Sequence, residues 1–161
     1  MNAKDAIRQQ IEFSHMLTGM YVADLTDAEL LVRPLPGVNH IAWQLGHMIG
    51  GTQHMLGALG HAMELPAGFA EGYTKETAGC DDAARFATKA QYLELLERVK
   101  AASLAAVDAT PDAALDQPGP EAMRAYAPTV AAVLMLLGQH LVMHAGQFVV
   151  VRRKLGKPPL F

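Results

Sequence analysis

Apolar residues return at helical spacing through four long stretches of the chain, and no stretch alternates convincingly with the period of two expected of a half-buried strand. Over residues 3–25, Ile7, Ile11, Leu17, Val22 and Leu25 mark one face, while Lys4, Arg8 and Glu12 mark the other. This is the pattern of an amphipathic helix. Thr26 followed by Glu29 forms a capping box, which predicts a short helical turn over residues 27–32 before Pro34, Pro36 and Gly37 end it. Asn39 is a good N-cap for a second long helix over residues 40–59. Thr88 and Gln91 open a third, running through residue 107, with Tyr92, Leu95, Leu96 and Val99 inward and Glu94, Glu97, Arg98 and Lys100 toward water. The fourth covers residues 129–155 and is stopped by Gly156, Pro158 and Pro159.

Two connections are irregular. Residues 60–87 contain Pro66, Gly68, Gly72 and Gly79 among the aromatics Phe69 and Tyr73, and a connection of that length crosses the fold or covers a site. Residues 108–128 are Pro- and Ala-rich, with a short turn predicted over 120–126. Four long helices without strands predict an all-α four-helix bundle, a single domain over residues 1–161. The second helix carries no formal charge, and the fourth carries none before Arg152. A helix apolar on every side needs cover on every side, so these two are expected to contribute much of a homodimer interface. Gly46, Gly50 and Gly51 cost the second helix propensity, which points to close approach of another helix.

Residues 130–151 are also about long enough to span a bilayer and are followed by Arg152, Arg153 and Lys154. The two His and two Gln within that run argue against a span, because polar groups in hydrocarbon are expensive and need partners. The formal charge of −3 is spread over interspersed acids and bases, leaving no basic stripe for nucleic acid and no polybasic block for lipid. By elimination the partner is a small-molecule substrate. Cys80 is the only cysteine, which excludes an internal disulfide and a thiolate metal cluster. The first residues carry dispersed charge and no signal-peptide core, so a cytoplasmic location is expected.

Chemistry therefore rests on other residues, and the histidines stand out. His140 and His144 are four residues apart in an otherwise oily helix, so they project from one face and can reach one ion. Gln147, three residues further along that stripe, is placed to hold a ring in its metal-binding tautomer. The pair lacks the glutamate of the H-E-x-x-H motif, and two buried histidines satisfied by hydrogen bonds are the competing reading. On the second helix His40, His47, His54 and His61 recur every seven residues along a slowly drifting stripe. Neighbours in that series are ~10 Å apart, so at most one can complete a site with His140 and His144. His47, mid-helix, is the candidate. His40 belongs at the helix mouth, His54 and His61 read as structural or exposed, and His15 reads as a core or boundary histidine. Three neutral imidazoles from two helices suit Zn²⁺, Ni²⁺ or Fe²⁺ and leave coordination positions open.

The segments NHIAWQLGH, ending in His47, and HLVMHAGQFVVVRRKLGKPPLF, containing His140 and His144, resemble those of the DinB-like (YfiT-like) superfamily of metal-dependent four-helix bundles. The resemblance covers most of the chain. It implies that His47, His140 and His144 ligate a divalent metal, and that the bundle runs up-down-down-up with residues 60–87 as the long crossover between the second and third helices. It also implies a transferase or isomerase that uses a low-molecular-weight thiol, or a hydrolase. Neither motif contains a carboxylate, which leaves Glu64, Glu71, Tyr73 and His15 as unranked acid/base candidates and Trp43 and Phe69 as possible pocket walls. The alternative is a non-catalytic dimeric scaffold or stress-related metal-binding protein.

Overall fold

The computed structural model describes residues 1–158 and 160. Pro159, one of the expected stop residues, lies outside the described residues. Five α-helices follow in order: α1 (Ala3–Val22), α2 (Asp27–Leu30), α3 (Ile41–Ala58), α4 (Lys89–Ala109) and α5 (Val130–Lys154). No β-strand occurs among the described residues; a single antiparallel bridge links Pro118 to Thr129.

The capping chemistry sets most of the boundaries. The Thr26/Glu29 and Thr88/Gln91 boxes both form, and Thr129 caps α5 by accepting from the Ala132 N–H. At α3 the expectation of Asn39 is corrected by one residue. His40 is the N-cap: its Nδ1 accepts the Trp43 N–H at 3.0 Å while its Nε2 lies 3.3 Å from the Cys80 carbonyl. An imidazole can cap only while neutral, and burial holds His40 below its ordinary pKa.

Contacts between helix ends give the topology. Lys4 donates to the Asp108 and Thr110 carbonyls at one end, and Lys89 to those of Ala23 and Leu25 at the other, so α1 and α4 are antiparallel. Gln44 meets His144 while Gly51 faces His140, so α3 and α5 are antiparallel. Arg152 near the end of α5 reaches Asp24 and the Tyr21 carbonyl beyond and within α1, making those two helices parallel. The bundle is therefore up-down-down-up, counting α1, α3, α4 and α5. Its core has two centres. One joins the first half of α3 to Tyr92, Leu96, Leu141 and Phe148; the other joins Leu56 to Ile11, Val107, Leu134 and Leu137.

The crossover explains how α3 finds cover inside its own chain. The 3-10 turn Ala70–Tyr73 lays the Tyr73 ring across Gly46, where a Cβ would stand 2.2 Å from the ring. The glycine thus admits a loop aromatic, in place of the helix expected there. The Tyr73 hydroxyl pairs with that of Tyr92 at 2.8 Å, tying crossover to α4. Trp43 Nε1 donates to Thr77 at 3.1 Å, and Arg33 donates to the carbonyls of Ala78 and Cys80. Among the large hydrophobic residues left exposed, none belongs to α3; they lie mainly on α1 and α5. By length and composition α5 could cross a membrane, yet its most apolar stretch is 44% buried inside this bundle.

Candidate metal centre

The three histidines converge. His47 comes from the middle of α3, and His140 and His144 from successive turns of the antiparallel α5. Their ligand-capable nitrogens lie within 4.8 Å of one another. His140 Nε2 and His144 Nε2 are 3.1 Å apart, and the ring centroids of His47 stand 5.2 and 5.3 Å from those of His140 and His144. Nitrogens around a tetrahedral ion at about 2.1 Å stand ~3.4 Å from each other, so the His140/His144 pair already has that spacing and the widest separation must close by about 1.4 Å, within reach of side-chain rotation.

Two neighbours fix which nitrogen faces inward. The Gln44 amide oxygen lies 2.9 Å from His144 Nδ1 and can only accept, so Nδ1 carries the proton and Nε2 keeps its lone pair. The Tyr73 carbonyl, 3.4 Å from His47 Nδ1, imposes the same tautomer more loosely. His140 differs: its Nδ1 is buried with no partner among the described residues, and it packs where a Cβ on Gly51 would stand 3.4 Å away. The short Nε2 to Nε2 contact aims the edges of both rings at one point. On donor chemistry the site fits a divalent metal.

Electrostatics agree. Burial pushes the pKa of His140 down to about 4 and that of His144 down to about 3, with each ring's neighbours in the cluster adding to the effect, and burial lowers His47 as well. All three are neutral near pH 7, the protonation state that ligation requires. Trp43 stacks on His47 at 4.9 Å with the planes 8° apart, walling one side as expected. His47 and His140 remain partly exposed while His144 is buried, so the cluster opens outward past the first two.

The sequence of a DinB superfamily domain matches residues 10–148, a span containing all three histidines. The chain belongs to the DinB superfamily. No curated protein matches it. Among solved structures, the conserved protein of locus from Enterococcus faecalis is similar in fold, with 20% identity and a TM-score of 0.77 over 98% of this chain and 99% of that one.

Within this DinB-superfamily bundle the other expected site residues fall elsewhere. Gln147 is exposed, and the amide on the histidine cluster is Gln44 from the facing helix. Glu64 and Glu71 are exposed, with Glu64 offering its carbonyl to Arg98. The Tyr73 hydroxyl is spent on Tyr92, so the residue serves through its carbonyl. His15 is buried, its nearest charges being Lys100 and Glu97 on α4. Phe69 packs on the far side of Tyr73, at 4.8 Å between centroids, where it lines a 430 Å³ cleft that includes none of the three histidines. A second, shallower groove of 490 Å³ runs along α3 past Gly50, His54 and Gly57, beginning one turn from His47. The signal that could have found Gln44 is its place one turn before His47 on the same helix.

Proposed function

We propose that His47, His140 and His144 bind one divalent ion, Zn²⁺, Ni²⁺ or Fe²⁺, and that the protein is a cytoplasmic metal-dependent enzyme acting on a small molecule. The supporting observation is the convergence of three neutral imidazoles, two of them oriented by acceptors that leave Nε2 bare. Such an ion, when bound, acidifies a water or thiol and polarises an electrophile. The three ligands bring no negative charge, so the site favours an anionic fourth ligand, a hydroxide or a low-molecular-weight thiolate. The chain's own residues supply position: Gln44 and Tyr73 hold ring orientation, and Trp43 shields His47. Thiol-dependent transfer, isomerisation and hydrolysis all use such a site.

A second reading follows from the donor set, which includes no carboxylate among the described residues: a non-catalytic metal-binding scaffold. Metal analysis on protein purified without a chelating tag tests the ligand assignment common to both. About one ion per chain is expected for the wild type, and near-complete loss for His140→Ala with helical content unchanged. Equal metal content in the two proteins would falsify it. Exchange of the bound water for azide or a small thiol, read from the spectrum of the Co²⁺-substituted protein, then separates an open catalytic site from a closed structural one.

A further inference from the structure

The three histidines are not held alike. His144 is buried with the Gln44 amide at 2.9 Å, and His140 packs against Gly51. His47 stays partly exposed, and its hydrogen-bond partner among the described residues is the Tyr73 carbonyl at 3.4 Å. That contact sets which edge of the ring turns inward, but a bond so long does little to fix the plane. The plane is set by Trp43, one turn earlier on α3, whose indole lies 4.9 Å away and within 8° of parallel. An imidazole that turns about its Cβ–Cγ bond leaves such a stack, so the place of the indole decides where His47 points.

The indole is itself held by the crossover. Trp43 is 4% exposed, and a buried indole N–H needs an acceptor. That acceptor is the Thr77 hydroxyl at 3.1 Å. A hydroxyl carries one proton, and Thr77 gives its proton to the Thr74 carbonyl at 2.9 Å, so a lone pair is left for the indole and the sense of the bond is fixed. The Thr77 N–H donates to the same carbonyl at 3.1 Å, which closes the turn. Thr74 follows Tyr73 directly. Residues 73–77 therefore take His47 from two sides, by the Tyr73 carbonyl on its edge and by Thr77 through the indole on its face.

We infer that Thr77 is a positioning residue of the metal centre, acting on His47 through Trp43, and that the turn at residues 73–77 and the bound ion stabilise one another. The inference rests on the metal reading above and adds to it a residue from outside both histidine helices. Coupling between two sites acts equally in both directions, so whatever the turn adds to affinity must appear as order in the turn when the ion binds. A threonine kept only to satisfy a buried indole would give neither effect.

Zn²⁺ affinity, measured by competition with a chromophoric chelator, tests the first half. Thr77→Val keeps the shape and removes the acceptor; it should bind about 5- to 10-fold more weakly and shift the d–d spectrum of the Co²⁺-substituted protein. Thr77→Ser restores the hydroxyl and should return affinity to within about twofold of the wild type. In a Trp43→Phe background, which has no indole N–H, Thr77→Val should weaken binding no further. Hydrogen exchange of the wild type tests the second half and needs no variant in the turn. Zn²⁺ should slow the Thr77 and Ala78 amides by about threefold or more, leave the Arg85 amide elsewhere in the crossover unchanged, and do nothing to any of them in His140→Ala. Wild-type affinity in Thr77→Val overturns the inference, even if that variant is less stable. An equal further loss in the Trp43→Phe background overturns it, as do turn amides indifferent to Zn²⁺. Failure of the metal reading looks different: the wild type then retains no Zn²⁺, and this inference falls with it.

Discussion

His144 and His15 are buried to nearly the same extent, at 6% and 7% exposed, and burial pushes their pKa values down to about 3 and about 4. Their surroundings differ. His144 has the Gln44 amide on one nitrogen and His140 on the other, with His47 closing the third side. His15 sits between α1 and α4 with neither nitrogen hydrogen-bonded among the described residues. Desolvation alone thus marks both rings equally, and only the arrangement of acceptors and neighbouring imidazoles separates a ligand set from a packed core histidine. Depressed basicity is a measure of depth; directed lone pairs are a measure of purpose.

The largest effect that sharpens this contrast is acid sensitivity. The folded pKa of His15 lies below the unfolded value of 6.5, so the unfolded chain binds its proton first and stability falls as pH drops from 6.5 to about 4. At about 1.4 kcal/mol per pH unit the loss approaches ~3 kcal/mol over that window. His15→Leu removes the titrating group and two unpaired buried nitrogens, so urea unfolding should show a flatter pH dependence by that amount. At pH 7 the same variant should melt about 4 °C higher. A variant as acid-sensitive as the wild type would show that His15 is solvated.

Gln44→Leu should make His144 resemble His15. Without the amide oxygen the Nδ1 proton loses its acceptor, and metal affinity measured by competition with a chromophoric chelator should fall 10- to 100-fold. An unchanged affinity would mean that ring orientation comes from packing alone. Gly46→Ala is expected to act next in size. Its Cβ would meet the Tyr73 ring at 2.2 Å, forcing the crossover outward, lowering stability by about 2 kcal/mol and weakening the metal through the Tyr73 carbonyl and His47. Retained stability together with lost metal would show that the crossover serves the site more than the fold.

Signals carried by neighbouring residues were legible in the chain. Thr26 with Glu29 and Thr88 with Gln91 announce helix starts because a capping box is complete within four residues. The His140/His144 pair is legible because a single turn of helix fixes it, and the seven-residue series on α3, with His47 at mid-helix, singled out the histidine that the fold brings to them. Relations between helices were harder to read. Gln147 lies on the right stripe of its own helix, but the amide that reaches His144 comes from α3, and no local pattern says which helix lies alongside. Gly46 was recognised as a close approach without its partner, since Tyr73 is 27 residues away in a segment lacking periodicity. The first helix stops at Val22, short of residue 25, and Asp24 just beyond it meets Arg152, a partner 128 residues away that no local pattern announces.

That last contact has an electrostatic consequence for the whole bundle. Parallel α1 and α5 set two helix C-termini side by side, each a partial negative charge, and the Arg152 guanidinium lies there, donating to the Tyr21 carbonyl of α1 and to the Pro158 carbonyl beyond α5. Lys157 adds a second cation there, donating to the Asp24 carbonyl. The first and last helices are thus clasped at their C-terminal ends by a cationic rivet, a buried guanidinium against a half-exposed carboxylate, so parting these two ends strands the Arg152 charge away from water.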